Sequence, residues 1–229
     1  RPGDRATLRG AQRDRNGFSA YEFAPGLQIR GNVNSPKSGP LMVRAEREQL
    51  SGDVEVDEAL VGGVEHGTKP GRGTDKCVVA IAVEVKQPKG FGRVRMRHIP
   101  DASDFSLRPF VCDMVAPGST ILTDGWSGYS RLSQCGYTHK KTIVSSSGDP
   151  THVAMPGVHR IASLLKRWIL GTHQGSVSDF HLQSYLEEFT FRFNRRTSRS
   201  RGLVFRRLLE QVVATGPVTD AEVTHGYYW

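Results

Sequence analysis

Two aspartates in this sequence stand in settings where carboxylates hold metal ions. Asp57 lies within Val54-Glu55-Val56-Asp57-Glu58, a stretch that alternates apolar and polar residues in the manner of a β-strand. Successive strand side chains leave on opposite faces, so with Val54 and Val56 turned to the core, Glu55 and Asp57 share the other face. Asp124 ends a second strand-like stretch in Thr123-Asp124-Gly125-Trp126, where the glycine allows backbone or ligand to come close. A lone Asp at a strand end more often shapes a turn than binds anything. Two carboxylates on separate strands, brought together in space, are the minimum for a hard divalent cation.

The elements that must position them follow from periodicity. Residues 1–50 carry Gly and Pro throughout without a sustained apolar period, and are expected to be irregular or disordered. Strands are predicted over Asp53–Val61, Cys77–Val85 and Phe91–Ile99. The second is an almost unbroken apolar run, as in a central strand buried on both faces, and Pro88-Lys89-Gly90 turns it into the third as a hairpin. Ser103 is expected to cap a helix over residues 104–115, with Phe105, Val111, Cys112 and Val115 as its apolar stripe. Pro117-Gly118 ends that helix, a strand over 119–123 delivers Asp124, and another strand is predicted over 138–144. Helices are predicted over 158–170, 178–194 and 204–213, the middle one patterned by Phe180, Leu182, Tyr185, Leu186, Phe189 and Phe193. This order is that of an α/β ribonuclease-H-like fold, a mixed five-stranded sheet flanked by helices, over residues 51–213. Residues 214–229 read as an unstructured tail.

Charge points to a polyanionic partner. The formal net charge is +8, and between Val158 and Leu209 ten Lys and Arg face only Asp179, Glu187 and Glu188. Arg dominates that excess, and its planar fork matches phosphate oxygens. No run of about 18 apolar residues is present, which excludes a membrane-spanning helix, and no export signal opens the chain, so a cytoplasmic protein is expected. Cys77, Cys112 and Cys135 lie far apart and read as buried thiols rather than a metal knuckle or a disulfide framework.

Four stretches carry a resemblance: Val54 to Glu58 followed by Gly62-Gly63; Thr123-Asp124-Gly125-Trp126-Ser127-Gly128-Tyr129; Val158-His159-Arg160 with Leu164-Leu165-Lys166-Arg167-Trp168 and Gly171-Thr172-His173; and Tyr185-Leu186-Glu187-Glu188-Phe189 with Phe191 to Arg196. In this order they closely resemble the ISXO-like insertion-sequence transposases. The resemblance implies metal-dependent cleavage and strand transfer at the ends of an insertion sequence. It also implies a variant of the Asp-Asp-Glu triad in which His159 takes the third position and Lys166 follows seven residues later. Both fall on one predicted helix, and seven residues are close to two turns, so their side chains leave on one face. By this resemblance Asp57 bridges two divalent ions, Mg2+ or Mn2+, Asp124 binds one, and His159 completes the coordination of the second ion or orients the nucleophile. Lys166 contacts a DNA phosphate, with Arg167, Arg195 and Arg196 along the backbone.

Glu188 is a further candidate, set against a plain ion pair with Arg192 four residues on. Trp126 and Tyr129 either stack on a splayed base or pack beside the site. The implied partner is double-stranded DNA, both terminal inverted repeats and target, bound by a homo-oligomer. Such transposases commonly bring a Cys-rich zinc ribbon and a DNA-reading segment before this domain. Residues 1–50 contain no Cys and read as a truncated or disrupted DNA-binding region. A catalytically incompetent DNA-binding remnant is therefore the alternative function, and a general nuclease of the same fold is a third.

Overall fold

A computed structural model describes residues 42–43, 47–62, 76–86, 88, 90–142, 155–173, 177 and 179–215. The three β-branched stretches form the strands their alternation predicts: β1 (Asp53–Val61), β2 (Cys77–Val85) and β3 (Phe91–Ile99) make an antiparallel meander. Lys86 N–H to Gly90 C=O (2.9 Å) closes the β2–β3 turn. After α1 (Asp104–Met114), β4 (Thr120–Thr123) pairs in parallel with β1, and β5 (Thr138–Lys141) in parallel with β4. The sheet order is β3-β2-β1-β4-β5, the expected mixed five-stranded sheet, with the Asp57 strand at its centre. Helices α2 (Pro156–His173), α3 (Asp179–Asn194) and α4 (Arg201–Thr215) complete the described chain.

Strand parity divides the core in two. Val54, Val56, Ala80 and Ala82 pack with Leu107, Phe110 and Val111 of α1. Ala59, Val61, Val79, Ile81 and Val83 face the other way, against Val158, Ile161 and Leu165 of α2 and Leu182, Leu186 and Phe189 of α3. Fully burying each such aliphatic or aromatic side chain stabilises by about 1.5–3 kcal/mol. The face that Glu55 shares with Asp57 is thus a second core, and Glu55 is only 3% exposed.

Several expectations need correction. The stripe of α1 is Leu107, Phe110, Val111 and Met114, the i, i+3, i+4, i+7 set, while Phe105 is 79% exposed. Ser103 heads that helix through its carbonyl, which accepts from Ser106 and Leu107 N–H; its side chain makes no cap bond. The Asp101 carboxylate instead gathers Ser103 N–H (3.0 Å) and the Ser106 hydroxyl (2.8 Å). Among the cysteines only Cys77 is buried; Cys112 and Cys135 are half-exposed. Fully buried Leu50 is tied to the end of α1 through Met114 C=O (2.8 Å) and Ala116 N–H (2.8 Å). The helix predicted to end at 213 runs on to Thr215, and the expectations for residues 1–41 and 44–46, for 143–144 and for 216–229 lie outside the described residues.

As an edge strand, β3 leaves backbone groups without a ladder partner, and α3 supplies them with side-chain amides. Asn194 accepts from Val94 N–H (2.8 Å) and donates to Val94 C=O (3.1 Å), and Gln183 accepts from His98 N–H (3.0 Å). Replacing Asn194 by Ala strands a donor and an acceptor together. We expect a loss of about 1–3 kcal/mol in urea unfolding; a loss under about 0.5 kcal/mol would mean that water takes over both bonds.

Candidate active site

The last paired rung between β1 and β4 is Glu55 with Leu122. Asp57 and Asp124 each stand two residues further along the chain, Asp57 within β1 and Asp124 one residue past the end of β4, the two strands running about 4.8 Å apart where they pair. Asp57 shares the parity of Ala59 and Val61, which face α2. Each carboxylate is anchored locally: Asp57 Oδ1 accepts from Glu58 N–H (2.9 Å) and Asp124 Oδ1 from Trp126 N–H (2.9 Å). The second bond closes a turn that Gly125 makes possible at φ +85°.

The residues after Asp124 lock this turn onto the domain. Trp126 Nε1 donates to Ala102 C=O (2.8 Å), and a Cβ at Gly128 would lie 2.6 Å from that same oxygen. Tyr129 is fully buried and its hydroxyl donates to Glu58 Oε2 (2.9 Å), joining this loop to β1. Burial pushes the Tyr129 phenol well above its ordinary pKa, and the charges of Glu58, Asp57 and Asp124 push it further. Tyr129 is therefore a neutral donor beside three carboxylates, and it packs rather than presenting a face to a base. On the other side of β4, His139 Nε2 and Thr123 Oγ1 are 2.9 Å apart, and Thr123 Oγ1 also accepts Gly125 N–H (3.3 Å). Burial, with Lys141 second, lowers the His139 pKa, so this brace beneath Asp124 is uncharged at neutral pH.

Helix α2 is seated on β1 by Glu55. Its Oε2 accepts from Val158 N–H (2.9 Å), and Gly157 N–H also bonds to the carboxylate. Burial raises the Glu55 pKa and these two amides oppose the rise. A Cβ on Gly157 would fall 2.7 Å from Glu55 Oε2 and 3.0 Å from Phe91 Cε1, so glycine is what lets helix and strand approach. With Val158, Ile161, Leu165 and Ile169 buried, half-buried His159 and exposed Lys166 flank that stripe on one side. Among the described residues no three His, Cys, Asp or Glu side chains are gathered into a metal cage. Asp57 and Asp124 both act electrostatically on the Tyr129 phenol, and His159 lies in the first turn of α2.

The remaining candidates have diverse surroundings. Lys166 and Arg167 are exposed on α2. Arg195 stacks over Phe191 (3.8 Å). Arg196 stacks over Phe193 (3.9 Å) and donates to Phe91 C=O (2.6 Å) and Gly92 C=O (3.3 Å), tying the end of α3 to the start of β3. Glu188 is 1% exposed and accepts from Arg192 Nε (2.8 Å), the i, i+4 pair weighed against a site role. Glu55, Glu58 and His139 escaped sequence reasoning. Parity hinted at Glu55, but nothing local announces partners 71 or 103 residues away.

A protein-family model described as ISXO2-like transposase domain matches residues 49–194, a span that runs from before β1 to the end of α3 and contains Asp57, Asp124, His159 and Lys166. No curated protein matches the chain. No helix among the described residues is long and apolar enough to cross a membrane. If the Gly157 contact sets the seat of α2, Gly157→Ala should cost about 1–3 kcal/mol in thermal or urea unfolding. A neutral substitution would show that α2 can shift without loss.

Proposed function

The chain belongs to the ISXO2-like transposase family, and from that premise we propose that it cuts and joins DNA at the ends of an insertion sequence, using divalent ions held by Asp57 and Asp124. The observation that carries this reading is the parallel pairing of β1 with β4, whose last rung lies two residues before Asp57 on one strand and two before Asp124 on the other. Their hard oxygen donors suit Mg2+ or Mn2+. Mg2+ in particular commonly takes one or two carboxylates and fills its shell with water and substrate phosphate. When bound, such a pair of ions activates water or a 3′-hydroxyl and stabilises the leaving oxygen.

The protein's share is positioning. Asp57, mid-strand and hydrogen-bonded to its own neighbour's amide, and Asp124, in a turn pinned by Trp126 and Tyr129, would hold the ions. Holding two like charges near each other costs Coulomb repulsion, and the rigid strand and the closed turn keep them from separating. His159 orients the nucleophile or adds a third ligand from α2, and Lys166 and Arg167 on the same helix meet the DNA phosphates near the cut. Arg195 and Arg196 follow the backbone further along α3. Two copies would hold the two inverted repeats of the element together with the target.

Asp57→Asn and Asp124→Asn should each reduce Mg2+- or Mn2+-dependent strand transfer to background while salt-sensitive duplex binding persists; transfer retained by either variant would overturn the assignment. Imidazole is a softer ligand than carboxylate, so His159→Glu should raise activity in Mg2+ relative to Mn2+. An unchanged ratio between the metals would remove His159 from the ion's shell.

A further inference from the structure

The alternating arginines of β3 have no part in the scheme above, and two of them are fully engaged. Arg97 pairs with Asp113 (2.8 Å), and Arg93 with Glu84 (2.7 Å) and Glu48 (3.0 Å). Arg95 differs. It is 6% exposed, yet its guanidinium bonds only to main-chain carbonyls, those of Val94 (3.1 Å) and Glu48 (2.8 Å). Arg47 is half-buried beside it, and its hydrogen-bond contact is the Met114 sulfur at 3.5 Å. Among the described residues neither forms an ion pair with a carboxylate.

A buried guanidinium cannot escape its charge by losing a proton, so an unmatched one is costly. Burial first, and then the like charges of Arg47, Arg93 and Arg195, outweigh the attraction of Glu84 and push Arg95 down to about 10. These guanidiniums line one cavity of about 180 Å3, together with Thr190 and Glu187. That is room for a tetrahedral oxyanion. Of the carboxylates there, the Glu48 side chain is 84% exposed and committed to Arg93, and Glu187, which accepts from Gln183 (3.2 Å) and attracts Arg47, is pushed up to about 7 by burial, so it carries only part of a charge at neutral pH. In register, Arg95 lies opposite Ala82, which lies opposite Val56. Arg95 thus stands two strands, about 10 Å, from β1 on the edge away from β4, with its side chain on the α1 face of Val56 rather than the face of Asp57.

We propose that this cavity is a phosphate-binding site, separate from the carboxylate pair, in which Arg95 and Arg47 grip a phosphate group with Arg195 beside them. Paired guanidiniums suit phosphate because each presents parallel N–H donors to two oxygens. The phosphate comes either from the DNA backbone, as a contact away from the scissile bond, or from free inorganic phosphate.

The test melts the whole chain in potassium phosphate and in potassium chloride of equal ionic strength. Phosphate should raise Tm saturably and chloride should not. Arg95→Met should weaken that response by about tenfold or more in phosphate concentration. Because it removes a buried cation without a counter-ion, Arg95→Met should not lower Tm in phosphate-free buffer, whereas a merely structural arginine would. Arg47→Met should weaken the response similarly and serves if the first variant fails to fold. Duplex binding followed against salt identifies the source: a slope of log K on log salt shallower by about one unit in the variants assigns the site to DNA, and an unchanged slope assigns it to the free ion. A phosphate response no larger than that of chloride, or equally strong in both variants, overturns the site. Asp57→Asn should keep the phosphate response, so a failure of the catalytic reading and a failure of this one are told apart.

Discussion

A hydrogen bond between residues 103 positions apart holds this domain in the form that its site requires: the Glu55 carboxylate on β1 accepting the Val158 amide at the start of α2. Burying a carboxylate is costly. The first amides of a helix offset that cost well, because they lack intrahelical acceptors and lie at the positive end of the helix dipole. Bonds to an ionised acceptor are roughly twice as strong as neutral ones. Gly157 completes the joint by leaving no Cβ between the helix and the carboxylate. Once α2 is seated there, Ile161 and Leu165 fall onto Ile81 and Val83, and His159 and Lys166 emerge together on the flank of the helix. Sheet, helix and proposed chemistry therefore share one register, set two residues before Asp57.

The charges fall into two regions. At the β1–β4 seam Asp57, Glu58 and Asp124 act on one neutral phenol, so the local field favours cations. Two strands away, at the β3 edge, Arg47, Arg95 and Arg195 gather around a cavity that favours anions. A protein that handles a polyanion with metal ions needs both kinds of field. Keeping them on opposite sides of β2 prevents the arginines from neutralising the carboxylates directly.

Much of this was legible in the sequence, for identifiable reasons. The bounds of β1, β2 and β3 could be read to the residue because β-branched alternation and Gly breaks are local signals. Motif order pointed to the family, and the match over residues 49–194 agrees. Glu188 with Arg192 was legible because i, i+4 pairing is local. Where bulk was taken for burial, as at Phe105, the reading failed, since the face of α1 is chosen by its packing against β1 and β2. Glu55 and Tyr129 act through partners far along the chain, which periodicity cannot reveal. Charge counting likewise did not separate Arg196, spent on backbone carbonyls, from Arg95, which has carbonyl partners but no carboxylate.

Mapping the bound ion on the polypeptide tests the central claim most directly. Fe2+ substituted for Mg2+, with ascorbate and hydrogen peroxide, generates radicals that cut the backbone beside the metal. Cuts are expected next to Asp57, next to Asp124 and at the start of α2, suppressed by excess Mg2+ and lost in Asp57→Asn. Cuts confined elsewhere, or unchanged in that variant, would contradict it.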